Sequence, residues 1–297
     1  MSARPAVAAR LIAAAVAALA AGCSSTLFLA ANAPTYFSSV HSRTDLAYGN
    51  DPRQHLDVYA PPGARALPVV VFWYGGAWSS GRKSQYRFVG VALAERGCIA
   101  VLPDYRLYPA VRYPAFIEDG ALAVAWVERH AREFGGDPSR IVLMGHSAGA
   151  HLAATLAIEP RYLARAGADR RAIAGWVGLS GPYALDPDTD ELRTIFSAPY
   201  VLADWQPVRH VTGDAPPALL LHGEDDRRVY ARQAIELRDA LVSHGVRVDL
   251  ELYPGRGHSD TIASFARLAR GRTPALEQSV RFVTSLHSQA VSALQNK

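Results

Sequence analysis

Short apolar runs that alternate with longer helix-like stretches are the feature that most constrains the fold of this chain. The β-rich runs occupy residues 55–59, 69–74, 99–103, 141–144, 175–179, 218–221 and 248–253, and the helix-like stretches include 113–134, 148–158, 230–244 and 275–294. Strands that are apolar throughout are typical of parallel sheets covered by helices on both faces. The pattern therefore predicts an α/β fold with a mostly parallel central sheet.

The body of the chain contains no internal repeat, low-complexity tract or dividing linker, so we expect a single domain over residues 51–297. Its longest irregular stretch is 181–217, which contains six prolines. Irregular segments of that length in a compact domain usually serve a function. We therefore predict that residues 181–217 form a small cap over a site.

The N-terminus has the composition of an export signal. Arg4 and Arg10 precede an apolar run over residues 11–21, which is followed by Gly22 and Cys23. Eleven residues make a helix of roughly 16 Å, too short for a hydrocarbon core of about 30 Å. The segment LAAGCSS resembles a bacterial lipoprotein signal, which implies a signal peptide over 1–22 and lipidation of Cys23; simple secretion with cleavage near Ala21 is the alternative. Residues 23–50 are expected to form a tether and an N-terminal arm.

Charge and cysteine content exclude several classes of partner. The chain has 31 basic and 27 acidic residues, a net charge of +4, without a long basic run, so nucleic acid is not an expected partner. Removal of residues 1–22, which hold two arginines and no acid, would leave +2. We therefore expect membrane contact only through the N-terminal anchor. Cys98 is expected to be a buried thiol, and no cysteine and histidine grouping has the spacing of a metal site.

The pentapeptide GHSAG at residues 145–149 follows the apolar run IVLM and precedes a helix-like stretch. In a strand-to-helix elbow of this kind, glycines permit a sharp turn and the serine hydroxyl is held out at the carboxyl edge of the sheet. Ser147 is therefore the candidate nucleophile, and it needs a base and an acid that follow it in the chain. His258, in the loop GRGHS after a β-rich run, is the best base. The weaker candidates for the base are His210, His222, His244 and His287.

Three acids lie in the loop that follows residues 218–221: Glu224, Asp225 and Asp226. All three can reach the base, and spacing alone does not choose between them. Acyl transfer also needs N–H donors for the developing oxyanion, and a glycine-rich loop supplies them without reorganisation. The string WYGGAW at residues 73–78 fits that role. Together with the residue after the nucleophile, it predicts Gly76, Ala77 and Ala148 as donors.

With these motifs the chain resembles the α/β-hydrolase superfamily, in the esterase and lipase group related to hormone-sensitive lipase, kynurenine formamidase and feruloyl-esterase-like enzymes. The resemblance covers roughly residues 50–290 and rests on YGGAW, VLPDYRLYP, YPAFIED, FGGDPSRIVLMGHSAGAHLA, HGEDDRRV and GRGHS. It implies an α/β-hydrolase catalytic domain in which Asp226 is the acid. Family positions that are architectural match Asp104, Tyr105, Arg106, Asp119 and His151.

The chain departs from the family at Tyr74, because relatives usually carry histidine before the two glycines. This difference affects the geometry of the oxyanion loop and the fit of the substrate.

The leading interpretation is hydrolysis of small-molecule carboxylic esters through an acyl-enzyme, with no cofactor and no metal. Cleavage of amides, as by an arylformamidase or an acylaminoacyl peptidase, is the second. A non-catalytic binding module on the same fold is the third. The export signal predicts a protein anchored at the cell envelope, or otherwise periplasmic or secreted.

Overall fold

The computed structural model describes residues 26–295, and side chains through residue 286. An eight-stranded sheet runs through the molecule in the order β1-β2-β4-β3-β5-β6-β7-β8. Strands β1 and β2 are antiparallel to their neighbours, and β3 to β8 are parallel to one another. The strands are β1 His41–Ala47, β2 His55–Ala60, β3 Leu67–Trp73, β4 Ile99–Pro103, β5 Gly136–His146, β6 Ile173–Leu179, β7 Ala218–Gly223 and β8 Val248–Tyr253.

The described helices lie mostly between strands. They are α1 (26–32), α2 Arg87–Ala94, α3 Ala115–His130, α4 Ala148–Ile158, α5 Pro160–Ala166, α6 Asp190–Ile195, α7 Leu202–Trp205, α8 Arg232–Ser243, α9 Asp260–Ala263 and α10 Ala275–Gln295. Short 3₁₀ segments occur at Ala33–Phe37, Lys83–Tyr86, Ala131–Phe134, Arg170–Ala172, Pro207–Arg209 and Arg267–Ala269.

The order of the strands places helices on both faces of the sheet. The crossover from β3 to β4 through α2 runs toward one edge of the sheet, and the crossovers from β4 to β5 through α3 and from β5 to β6 through α4 run toward the other. Because such crossovers are right-handed, α2 and the pair α3 and α4 lie on opposite faces. The final helix α10 contacts α2, β6 and β7. The predicted α/β fold with a mostly parallel central sheet is confirmed.

The core lies where β3 and β5 pair. From Val69 to Trp73 every side chain of β3 is fully buried, and the same holds for most of β5 from Ile141 onward. Burial of one such aliphatic side chain contributes roughly 1.5–3 kcal/mol. This core fixes the carboxyl ends of β3 and β5, and the two loops that leave those ends carry the oxyanion motif and the candidate nucleophile.

The sheet begins earlier than the sequence predicts. Within the segment 23–50, interpreted above as a tether and arm, residues 26–32 are helical and His41–Ala47 form the edge strand β1. Nearly all residues of β1 are exposed, so the strand lacks the apolar pattern by which the others are recognised. Cys98 is buried as predicted, and burial raises the pKa of its thiol to about 12.

The predicted signal peptide over 1–22 and Cys23 lie outside the described residues. No helix in the described part of the chain is long and apolar enough to cross a membrane.

Candidate active site

Ser147 lies at a sharp turn between β5 and α4. Its backbone has φ 54° and ψ −124°, a conformation that residues with side chains rarely adopt. A Cβ added to Gly145 would lie 2.1 Å from the carbonyl oxygen of Gly149, and one added to Gly149 would lie 2.0 Å from that of Trp73. Both positions therefore require glycine, and the turn between them projects the Ser147 side chain at the carboxyl edge of the sheet.

Three side chains that are distant in the sequence form a continuous hydrogen-bonded path. His258 Nε2 lies 2.9 Å from Ser147 Oγ, and His258 Nδ1 lies 2.8 Å from Asp226 Oδ2. Because an ionised carboxylate only accepts hydrogen bonds, Nδ1 carries the proton and Nε2 accepts from the serine hydroxyl. An imidazole in this position can remove the serine proton during attack on a carbonyl.

The loop after β7 selects one of its three acids. Asp226 is buried, whereas Glu224 and Asp225 are exposed. Asp226 Oδ1 also accepts hydrogen bonds from the backbone N–H groups of Arg228 and Val229, each at 2.9 Å. Burial raises the pKa of the Asp226 carboxyl, but hydrogen bonds from His222, His258 and the Val229 N–H outweigh it and hold that pKa well below its usual value. The carboxylate therefore stays ionised beside His258.

Two further histidines contact this path; His222 was expected only as a weaker candidate for the base, and His146 had no expected role. His222 is fully buried; its Nε2–H donates to the Val229 carbonyl oxygen at 2.8 Å and lies 3.2 Å from Asp226 Oδ2. His146 Nε2–H donates to the backbone carbonyl oxygen of His258 at 3.0 Å. Burial, and then repulsion by His258, lowers the pKa of His146 to about 3, so its ring is neutral. The sequence signal for His222 was its place near the end of β7, two residues before Glu224, the first of the three acids.

The loop after β3 has the geometry of an oxyanion site. Gly76 has φ 134° and Ala77 has φ 49°. A Cβ added to Gly75 would lie 2.9 Å from Ser147 Cβ, so the loop is in contact with the nucleophile. Ala148 is the first residue of α4, where backbone N–H groups have no partner within the helix. Within the described chain, the N–H groups of Gly76, Ala77 and Ala148 donate to no other residue, which leaves them available to an oxyanion.

Tyr74 holds this loop from behind. Its ring is fully buried and stacks between Tyr86 and Tyr105, at centroid distances of 5.5 and 4.8 Å. Its hydroxyl donates to Asp104 Oδ1 at 2.7 Å and accepts from Arg53 Nη2 at 2.8 Å. The tyrosine before the two glycines therefore serves as a brace for the loop.

The other residues that matched architectural family positions also brace loops. The Arg106 guanidinium pairs with the buried Asp119 carboxylate at 2.7 Å. The Tyr105 hydroxyl donates to the Tyr74 carbonyl oxygen at 2.9 Å. His151 Nε2–H donates to the Trp205 carbonyl oxygen at 2.6 Å. These contacts explain why polar residues occupy buried positions around the site.

Residues of the 181–217 segment pack against the end of the oxyanion loop. The Phe196 ring lies edge-on to Trp78, with centroids 4.8 Å apart, and contacts Trp205 at 5.5 Å. Tyr113 donates from its hydroxyl to the Asp204 carbonyl oxygen at 2.5 Å. The segment is thus fixed to the rest of the domain by an aromatic cluster beside Trp78. Among the described residues, no group of three or more histidine, cysteine or acidic side chains is placed to hold a metal ion.

Family comparisons agree with this geometry. The sequence profile of the prolyl oligopeptidase family matches residues 122–285, more than half of the chain and the part that contains all three members of the path. The chain belongs to the prolyl oligopeptidase family. The BD-FAE profile matches residues 56–167, which include the oxyanion loop and Ser147. The predicted resemblance to the esterase group of α/β-hydrolases is confirmed.

Similar curated proteins are esterases by name. The isoprenylcysteine alpha-carbonyl methylesterase of Arabidopsis thaliana is 34% identical to this chain. The aligned region covers 76% of this chain and 58% of the Arabidopsis protein. Esterase LipC of Mycobacterium tuberculosis is 35% identical over 77% of the chain and 62% of its own length. The chain thus spans between half and two thirds of the length of these relatives.

Solved structures share the fold. Esterase B of Lactobacillus rhamnosis superimposes with a TM-score of 0.78 at 21% identity, over 96% of this chain and 99% of the other. Esterase 2 of Thermogutta terrifontis, in a form phosphoramylated by tabun, gives a TM-score of 0.69 at 25% identity, over 84% of this chain and 95% of the other.

Proposed function

We propose that this chain is a serine hydrolase that cleaves carboxylic esters through an acyl-enzyme. The observation that carries the proposal is the path Ser147–His258–Asp226, which ends at a serine held against a loop with free N–H donors. The similar proteins reported above are named as esterases, which supports the same chemistry.

In the proposed reaction, Ser147 Oγ attacks the ester carbonyl carbon while His258 Nε2 takes the hydroxyl proton. The negative carbonyl oxygen is stabilised by the N–H groups of Gly76, Ala77 and Ala148, and one such donor typically contributes about 10²–10³ in kcat. His258 then returns the proton to the leaving alcohol. A water molecule, deprotonated by the same imidazole, releases the acid and restores Ser147.

The test is covalent labelling and hydrolysis with the purified full-length protein. The wild type should react with a fluorophosphonate probe and hydrolyse p-nitrophenyl esters, and Ser147→Ala should lose the labelling and about 10⁴-fold or more of kcat/KM. Ser243→Ala, an exposed position at the end of α8, is the matched control and should behave as the wild type. A wild type that neither reacts nor hydrolyses esters would instead favour a binding module.

Amide cleavage is the second candidate, favoured by the match to the prolyl oligopeptidase profile. The same nucleophile and base can attack an amide carbonyl, provided that His258 protonates the leaving amine. Comparison of kcat/KM for a p-nitrophenyl ester and for a p-nitroanilide or N-formyl amide with the same acyl group separates the two. Faster cleavage of the amide would overturn the ester assignment.

We also propose that Cys23 is lipidated and anchors the protein at the cell envelope; otherwise the protein is periplasmic or secreted. The support is the sequence alone, in which a cysteine follows the apolar run 11–21 and small residues. Cys23→Ser should abolish incorporation of a labelled fatty acid in cells, whereas Cys98→Ser should retain it. Equal labelling of both variants would contradict the proposal.

A further inference from the structure

Large apolar side chains are concentrated on the surface near the start of the described chain. Four of them lie between residues 27 and 37, and Phe37 is 91% exposed and Leu27 72% exposed. Single exposed apolar residues are common on soluble proteins, but a cluster of them marks an interaction surface. We call this cluster the N-terminal face. Its members are Leu27, Leu29, Tyr36, Phe37 and Leu268.

The N-terminal face is held firmly on the domain. Asn32 Nδ2 donates to the Gln85 carbonyl oxygen at 2.9 Å, and Asn32 Oδ1 accepts from the Phe88 N–H at 2.9 Å. The Phe28 ring packs on Tyr86, with centroids 5.1 Å apart. Phe28 thus packs on the domain while its neighbours Leu27 and Leu29 remain exposed. Their exposure is therefore that of a helix held in place by its other residues.

Leu268 joins this face through a shared carboxylate. Ser38 Oγ donates to Glu95 Oε1 at 2.9 Å, and the Arg267 guanidinium pairs with the same oxygen. Ser38 follows Phe37 and Arg267 precedes Leu268, so the chain positions of both exposed residues are adjacent to residues that contact Glu95. Leu268 is 77% exposed.

Arginines border the exposed apolar side chains. Arg96 pairs with Glu277 and Arg267 pairs with Glu95, whereas the half-buried Arg270 forms no ion pair among the described residues and its Nε and Nη2 are buried without a hydrogen-bond partner. Three guanidinium groups therefore face two carboxylates, and a positive charge remains. The Arg87 guanidinium lies over the exposed Tyr36 ring, 4.9 Å from its centroid. Apolar and aromatic side chains bordered by arginine are the composition of proteins that bind a lipid interface.

We propose that the N-terminal face binds the surface of an anionic phospholipid bilayer, with Phe37 and Leu268 at the acyl boundary and the excess positive charge of Arg96, Arg267 and Arg270 attracting the phosphates. The position of the face supports this occupant, because Cys23 and the apolar run 11–21 precede α1 directly in the sequence. Membrane contact then extends beyond an N-terminal anchor, and the domain is oriented on the bilayer rather than free on a tether. The net charge of the whole chain conceals this local excess of arginine.

The test measures lipid contact at defined sites of the full-length protein bound to vesicles. Phe37→Cys and Leu268→Cys are labelled with an environment-sensitive fluorophore, and nitroxide lipids serve as the quencher. The control is Val242→Cys, which is 57% exposed on α8, a helix that packs on the opposite edge strand β8. Unsubstituted protein, labelled in parallel, gives the background from Cys23 and Cys98.

In vesicles with phosphatidylglycerol we expect blue-shifted emission and several-fold stronger quenching at positions 37 and 268 than at 242. Arg270→Gln should weaken this difference, and Arg238→Gln, at a half-exposed arginine of α8, should leave it unchanged. Equal quenching at all three sites would overturn the proposal, as would a response that is the same in phosphatidylcholine alone. A blue shift without vesicles that grows with protein concentration would assign the face to a second copy of the chain. Vesicle flotation measures separately whether the protein is attached to the vesicles at all. Loss of the Cys23 anchor is therefore distinguishable from loss of contact through the N-terminal face.

Discussion

Asp225 and Asp226 are adjacent in the chain but differ in every property that matters for an acid partner. Asp226 is buried and hydrogen-bonded to His258, and Asp225 is exposed. Asp226→Asn replaces a carboxylate with an amide that can hold the wrong tautomer of His258, so kcat should fall by about 10⁴. Asp225→Asn should stay close to wild type. Initial rates on a p-nitrophenyl ester check both, and a comparable loss in Asp225→Asn would refute the assignment.

Tyr74 provides a second prediction at this scale. Tyr74→Phe keeps the stacked ring but removes one of the two hydrogen bonds to Asp104 Oδ1, the other being donated by the Lys83 N–H, and one of the acceptors of Arg53. Because Asp104 is largely buried, the free energy of unfolding should fall by about 1–3 kcal/mol. Urea denaturation measures the change, and Tyr230→Phe, at an exposed tyrosine, is the control. An unchanged midpoint would show that the hydroxyl does not support the loop.

The sequence predicts single residues only where local order constrains them. Ser147 and His258 were found because each follows a recognisable strand. Asp226 was not separable from Glu224 and Asp225 by spacing, since the choice depends on how the turn after β7 buries one carboxylate and exposes the others. The role of His222 was missed for the same reason, because its contact with Asp226 forms only after that turn closes.

At the scale of elements, the strand–turn–helix unit of β5 and α4 depends on close approach of backbone. Gly149→Ala would place a Cβ 2.0 Å from the Trp73 carbonyl oxygen, and backbone at the centre of the sheet cannot move to make room. We expect a loss of about 3 kcal/mol or more in the free energy of unfolding, or no folded protein. Gly271→Ala, where a Cβ meets nothing within 4 Å, is the control.

Thermal denaturation and circular dichroism distinguish the two glycine variants. If Gly149→Ala has the same melting temperature as the wild type, the close backbone contact inferred for this turn is wrong. If that variant does not fold at all, Gly271→Ala still shows whether the folded chain tolerates a glycine-to-alanine substitution at a position with free space. The comparison therefore isolates steric contact from the loss of glycine itself.

Elements with a strong apolar pattern were predicted, and those without it were not. The predicted helix 148–158 coincides with α4, and β4 coincides with the predicted run 99–103. Strand β1 was missed because its side chains are exposed and polar, and its place is set by pairing with β2. The early part of β5 from Gly136 was missed because it contains Pro138 and charged residues. Pairing in the sheet, not local propensity, defines both.

For the whole molecule, the sequence supplies the layers but not the order of the strands. Ser147 and His258 are 111 residues apart and meet because β5, β7 and β8 are parallel and end at one edge of the sheet. That order follows from the handedness of the crossovers and from packing between distant helices. The segment 181–217 was predicted as a cap from the length of its irregular sequence, but its aromatic contacts with Trp78 arise only in the folded chain.

The stability of the whole molecule should depend on pH through its buried histidines. Burial lowers the pKa of His151 from 6.5 to about 4, so between these values the unfolded chain is protonated at this residue and the folded chain is not. The free energy of unfolding that the neutral His151 contributes is therefore complete above pH 6.5 and falls as the pH drops toward 4, by about 1.4 kcal/mol per pH unit.

His151→Gln removes the titrating group but keeps a donor for the Trp205 carbonyl oxygen. Urea denaturation from pH 7 to 5 should give a slope shallower by that amount in His151→Gln and unaltered in His244→Gln, at an exposed histidine. A wild-type slope in His151→Gln would mean that this ring is already protonated in the folded protein.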